Sequence, residues 1–170
     1  NQNETSGVWP KGQITFYNDT GFNKSLKLAM AQWERTGIPI RFVETNSRNA
    51  DLMIVDDERE LKEDCADGST CGGLASLGYV HDFQSRMVLL PAGRRENHIV
   101  DFEYVQIIVH ELGHVLGLGH NDKNCSIMFP TSNSCLTERK PLANSKGTVF
   151  FSGPNQSDVD SVRRLYGLPE

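Results

Sequence analysis

At 170 residues, with 38% hydrophobic and 23% charged side chains, the chain fits one soluble globular domain with a single core. Its formal net charge of -5 argues against nucleic acid as a partner. No apolar run is long enough to span a membrane, and the polar residues from Asn1 onward show no signal peptide.

Ile14 and Phe16 alternate with polar residues, the pattern of a half-buried strand. Phe22, Leu26, Ala29, Met30 and Trp33 recur at helical spacing and form one apolar face; Gly37 and Pro39 end that helix. Ile40 and Phe42 alternate again, so strand, helix and strand predict a right-handed parallel crossover. Leu52 to Val55 is continuously apolar, which predicts a central strand covered on both faces. The acidic stretch Asp56 to Asp67 reads as a solvated loop, without the regular ligand alternation of a calcium site. Leu74 to Val80 and Met87 to Leu90 complete a sheet of about five strands. His81 and His98 read as ordinary surface or hydrogen-bonded histidines.

Asp101 is placed to cap a second helix, with Glu103 in its first turn. Ile107, Ile108, Leu112 and Val115 would pack that helix on the sheet. Beyond Gly117 little regular structure is signalled before Gln156, and Thr131 to Gly153 is a loop long enough to be functional. Val159, Val162 and Leu165 give a third helix its buried face. There is no internal repeat, linker or low-complexity tract.

The second helix carries the strongest signal, His110-Glu111-Leu112-Gly113-His114-Val115-Leu116-Gly117-Leu118-Gly119-His120. Residues four apart share a helix face, so His110 and His114 can offer two imidazoles to one metal. Glu111 can reach a water at that metal. Gly117 frees the backbone for a left-handed turn that ends the helix and brings in His120 as a third ligand. Two solvated histidines on a helix would explain the first five residues of this segment. They would not explain Gly117 and His120 at their fixed offsets. Three nitrogen ligands leave one zinc position open, as a catalytic site requires. Glu111 also argues against a zinc site that only holds the fold together.

Cys125-Ser126-Ile127-Met128-Phe129-Pro130 follows shortly after His120. Helix and downstream methionine together resemble the metzincins, in which Met128 would be the methionine turn beneath the ligands. Among metzincins the chain most resembles the matrixins. Val8 to Tyr17 is similar to their first strand and Lys27 to Glu34 to their first helix. Ile40 to Glu44 and Ala50 to Val55 are similar to the next two strands, and Ser157 to Gly167 to the last helix. The resemblance covers nearly the whole chain. It implies an α+β zincin: a twisted mixed sheet of about five strands with three helices. The cleft would lie between an upper subdomain, up to about residue 119, and a small lower one over about 120–170. One catalytic Zn2+ would sit on His110, His114 and His120, with Glu111 as general base; no motif asks for calcium. Gly73-Leu74-Ala75-Ser76 is similar to the matrixin segment that pairs with extended peptide. Val109, Phe129 and Pro130 would wall an apolar pocket for the residue after the scissile bond.

The departures are also specific. Between Val55 and Arg86 there is no loop rich in His, Asp and Gly, such as matrixins use for a second zinc and calcium; Gly68 to Gly73 is short and cysteine-flanked instead. Thr131 and Ser132 stand where matrixins often place a tyrosine. An astacin is the alternative, but Asn121 and Pro130 replace the glutamate and tyrosine that astacins carry there. A non-catalytic zinc-binding module on the same scaffold is the alternative of another class. Cys65, Cys71, Cys125 and Cys135 allow three pairings. The local one, Cys65–Cys71 with Cys125–Cys135, is favoured because its second loop would enclose Met128. Disulfides and the sequons at Asn3, Asn18, Asn23, Asn124 and Asn155 fit a secreted protein. The expectation is a monomeric, secreted zinc metalloendopeptidase, mature or truncated, that binds protein or peptide substrates in extended form.

Overall fold

A computed structural model of the chain describes residues 7–10, 12–65, 71–91, 102–122, 126–130, 142–143, 149–150 and 153–169. The elements in order are β1 (Gly12–Asp19), α1 (Asn23–Glu34), β2 (Ile40–Glu44), β3 (Leu52–Asp56), α2 (Glu58–Asp64) and β4 (Gly73–Ala75). There follow β5 (Ser85–Leu89), α3 (Phe102–Val115), β6 (Leu142–Ala143), β7 (Val149–Phe150) and α4 (Gln156–Leu165).

The five-stranded sheet runs β2-β1-β3-β5-β4. β1 pairs in parallel with β2 and β3, and β3 with β5; β4 alone is antiparallel. The fold is therefore α+β with a mixed sheet. The parallel β1–α1–β2 unit follows from the alternation at Ile14 and Phe16 and the apolar face of α1. β3 is central, and its run Leu52-Met53-Ile54 is buried. Ala29, Met30 and Trp33 of α1 meet Val105, Ile108 and Leu112 of α3 in the main core, together with Ile14, Ile54, Met87 and Leu89 of the sheet.

The acidic stretch differs from its reading as a loop, and the described residues hold four helices where three were expected. Asp57 caps α2, its carboxylate accepting from the Arg59 and Glu60 amides. Glu58 and Glu60 lie in the first turn, where negative charge is favoured. Leu61 is buried on the sheet face opposite the main core, with Cys65 and Val88. The expected strand Leu74 to Val80 stops at Ala75. Gly78 turns away at φ 67°, and its amide bonds the His114 carbonyl at 2.8 Å. Tyr79 then pairs with Gly7 in an isolated antiparallel bridge. The long loop after Thr131 also holds a short ladder, Leu142 opposite Phe150 and Ala143 opposite Val149.

Candidate metal centre

Helix α3 ends where its sequence says it must. Gly117 has φ 101°, a conformation that strains any residue with a Cβ. The Gly117 amide bonds the His114 carbonyl at 2.8 Å, and the Leu118 amide bonds that of Gly113 at 2.9 Å. This pairing closes the helix as a Schellman motif and turns the chain back toward its own last turn. His120 is thereby carried to the face that bears His110 and His114.

His110 Nδ1 lies 2.8 Å from the Ile127 carbonyl oxygen, and His114 Nδ1 2.8 Å from that of Leu118. A carbonyl only accepts, so both Nδ1 atoms carry the proton and both Nε2 atoms present a bare lone pair. His114 Nε2 sits 3.1 Å from His110 Nε2 and 3.2 Å from His120 Nε2. No proton is available between the first two, so lone pairs face one another. A shared cation relieves that repulsion, and three imidazole nitrogens with both tautomers fixed from outside are what zinc takes. Among the described residues this is the one group of three or more possible metal ligands within mutual reach. Burial lowers the His110 ring to about 4 and also lowers His114, so both are neutral ligands at physiological pH.

Glu111 is only 5% exposed, and burial pushes its carboxyl up to about 8. The raised value has a stability consequence in protein stripped of metal by chelation. The unfolded chain releases this proton near 4.5 and the folded chain near 8, so folding stability falls as pH rises through that window. Metal-free Glu111→Gln should therefore melt at the same temperature as metal-free wild type near pH 4.5 and above it at pH 8. Paired melting curves check this. A constant offset at both pH values would contradict it.

Gly73 of β4 lies directly over this carboxylate. A Cβ built at Gly73 would stand 2.8 Å from Glu111 Cγ, closer than real Cβ atoms approach, and 3.0 Å from Oε1. The strand passes this near only because the residue is glycine. Gly73→Ala should displace the Glu111 side chain; with Glu111 in the general-base role expected from the sequence, that displacement would cost about 10–100-fold in turnover, as small misplacements of a reacting group do. Turnover within twofold of wild type would show that the carboxylate has room to spare.

Beneath the histidines lies the turn Ser126 to Phe129, with the Phe129 amide bonding the Ser126 carbonyl at 3.2 Å. Met128 is buried, and a Cβ at Gly113 of α3 would overlap its sulfur, so α3 and the turn meet through glycine. The turn is held by a residue to which the sequence reading gave no role. Asp158, 1% exposed on α4, accepts from the Ser126 hydroxyl, from the Ile127 amide at 2.9 Å and from the Asn155 amide at 2.9 Å. The Ile127 carbonyl is the one that fixes His110. Asn155 and Asp158 form a reciprocal capping box, and the spacing Asn-x-x-Asp before an apolar face was the available signal. Trp33 was also missed as a support: its indole N–H donates to the Val109 carbonyl at 2.8 Å.

The remaining expected residues fall as follows. Gly73, Leu74 and Ala75 form β4 at the sheet edge. Leu90 donates to the Gly72 carbonyl at 3.0 Å, and Ser76 to that of Arg86 at 2.9 Å. By antiparallel alternation, Gly73 and Ala75 then turn their main-chain groups to the free side. Val109 is buried in the main core, Phe129 is half-buried and Pro130 is exposed. Cys65 and Cys71 are joined, with Cα atoms 6.1 Å apart. Cys125, Cys135, Asp101, His98 and most of the Thr131 to Gly153 loop lie outside the described residues. His81 is exposed and pairs with Asp82 at 2.8 Å.

Comparison with known proteins agrees with this geometry. Residues 11–167 match the protein-family model described as Matrixin. Over 158 residues the chain is 29% identical to Metalloendoproteinase 4-MMP of Arabidopsis thaliana, covering 87% of this chain and 41% of that protein. Over 174 residues it is 25% identical to Matrix metalloproteinase-20 of Homo sapiens, covering 94% and 32%. A shorter match of 67 residues is 37% identical to Metalloendoproteinase 1 of Glycine max, covering 39% and 18%. The chain thus spans less than half the length of each of these relatives.

Proposed function

The chain belongs to the matrixin family, and from that premise we propose that it is the catalytic domain of a secreted zinc endopeptidase. The observation that carries the reading is the convergence of three histidine Nε2 atoms beside a buried glutamate, under the free edge of β4. His110, His114 and His120 would hold the zinc. When bound, it would supply Lewis acidity toward a peptide carbonyl and acidify a water.

The chain's own residues do the rest. Glu111 accepts the water proton at its carboxylate as the water attacks, then passes it to the leaving amine nitrogen. Low solvent access keeps that carboxylate a stronger base than an exposed one. Gly73 and Ala75 offer main-chain groups to an extended peptide, which adds to the sheet as a further strand. Zinc and the relatives' printed names as metalloendoproteinases or matrix metalloproteinases point to peptide substrates. The Cys65–Cys71 bridge supports export to an oxidising compartment. We read the chain as one monomeric catalytic domain, with the cleft between an upper part to about residue 119 and a small lower part beyond it.

The residue after the scissile bond is taken to enter an apolar pocket between α3 near Val109 and the segment Phe129–Pro130. Each buried methylene adds about 0.8 kcal/mol, so leucine should exceed alanine there by tens-fold in kcat/KM. A peptide-library digest, with and without chelator, tests both levels. Cleavage before leucine-like residues that stops on chelation is expected. Charged residues dominating that position would overturn the pocket, and no cleavage by zinc-loaded protein would overturn the enzyme reading in favour of a binding module.

A further inference from the structure

β4 is three residues long, lies at the sheet edge and is held on one side by β5. A strand this short has few interactions of its own to fix its place. One of its faces, Gly73, looks onto Glu111. Leu74 points the other way, into a second apolar cluster with Leu61 and Cys65 of the α2 segment, Val88 of β5, and Cys71. That cluster is separate from the main core and is closed from outside by α2.

Helix α2 is seven residues long, too short to persist alone. Three ties hold it. Asp57 caps it. Glu60 forms a two-pronged ion pair with Arg86 of β5, at 2.7 and 2.6 Å. The Cys65–Cys71 bridge joins its end to the chain two residues before β4. The metal ligands hang on other elements: α3, the turn over Met128 and Asp158 of α4.

We propose that the Cys65–Cys71-bridged α2 is a positioning module for β4: it sets the affinity for extended peptide without holding the metal ligands. It occupies the stretch where the matrixin loop for a second zinc and calcium was expected and not found. The inference rests on the peptide-cleaving reading above, because it takes β4 as the strand that pairs with substrate. Opening the bridge leaves α2 free to lift from Leu74 and Val88, and β4 is then paired for only part of the time. Peptide affinity falls by that fraction.

The test compares wild type with Cys65→Ser/Cys71→Ser, both zinc-loaded, on one leucine-containing peptide. If β4 is paired about a tenth of the time, KM rises about tenfold while kcat stays within about threefold. Zinc content should remain one per chain, and the Ser76 and Leu90 amides should exchange faster with deuterium. Unchanged KM and unchanged exchange would overturn the proposal, as would parallel losses of zinc and kcat, which mean a merely structural role. Leu74→Ala, which leaves the bridge intact and should show the same KM-selective effect, decides the matter if the double variant does not fold. Wild type that cleaves no peptide would instead overturn the enzymatic reading, a result distinct from cleavage with an unmoved KM.

Discussion

Glu111→Gln is expected to bind zinc as wild type does and to lose about 10^3-fold in kcat, the scale of a general base removed from its place. His110 and His114 are untouched, because they are oriented by the Ile127 and Leu118 carbonyls and not by Glu111. Glutamine keeps the shape that fits beneath Gly73 but cannot take up a proton. Zinc content and steady-state kinetics on the same preparation check both halves. Turnover near the wild-type level with zinc in place would remove Glu111 from the mechanism.

Asp158→Ala is expected to give the largest loss of stability. It strands the buried Ile127 amide and Ser126 hydroxyl and removes the capping-box contact to the half-buried Asn155 amide. Each unsatisfied buried donor costs about 1–3 kcal/mol, and the lost cap about 1 kcal/mol more. With two buried donors the total is about 3–7 kcal/mol, which corresponds to a fall in Tm of about 6 °C or more in a domain of this size. The Ile127 carbonyl that orients His110 loosens with the turn, so zinc should bind about 10–100-fold more weakly, as when a partner behind a metal ligand is removed. Melting curves and titration against a competing chelator measure the two effects. A Tm within 2 °C of wild type, by order of magnitude under 1 kcal/mol, would contradict the account of the turn.

How much of this was legible in the sequence depended on whether a residue's role is written in spacing. The His110-x-x-x-His114 pair, Gly117 and His120 follow from helical geometry and from the single residue type that accepts φ 101°. The central position of β3 followed from its unbroken apolar run, and the parallel β1–α1–β2 unit from a change of period between strand and helix. Helix α2 was not legible because it buries one side chain, Leu61, so the stretch has no apolar period; capping at Asp57 and the Arg86 ion pair carry it instead. The early end of β4 depends on Gly78 donating to His114, a contact between segments far apart in sequence. The two-residue strands β6 and β7 are too short to show alternation. Asp158 was given no role in the sequence reading, although the Asn155-x-x-Asp158 spacing marks a helix start; only the fold reveals that its carboxylate also reaches the turn behind His110. Gly73 was read as part of an edge strand, and its second property, lying where any side chain would strike Glu111, needs three dimensions to be seen.

Under the proposed function, one zinc on His110, His114 and His120 makes this chain a peptidase. This is tested most directly by adding zinc stepwise to chelator-stripped protein while following occupancy and peptide cleavage together. Turnover should rise in proportion to occupancy and saturate at one zinc per chain. Full occupancy without cleavage, or cleavage that persists in metal-free protein, would contradict that function.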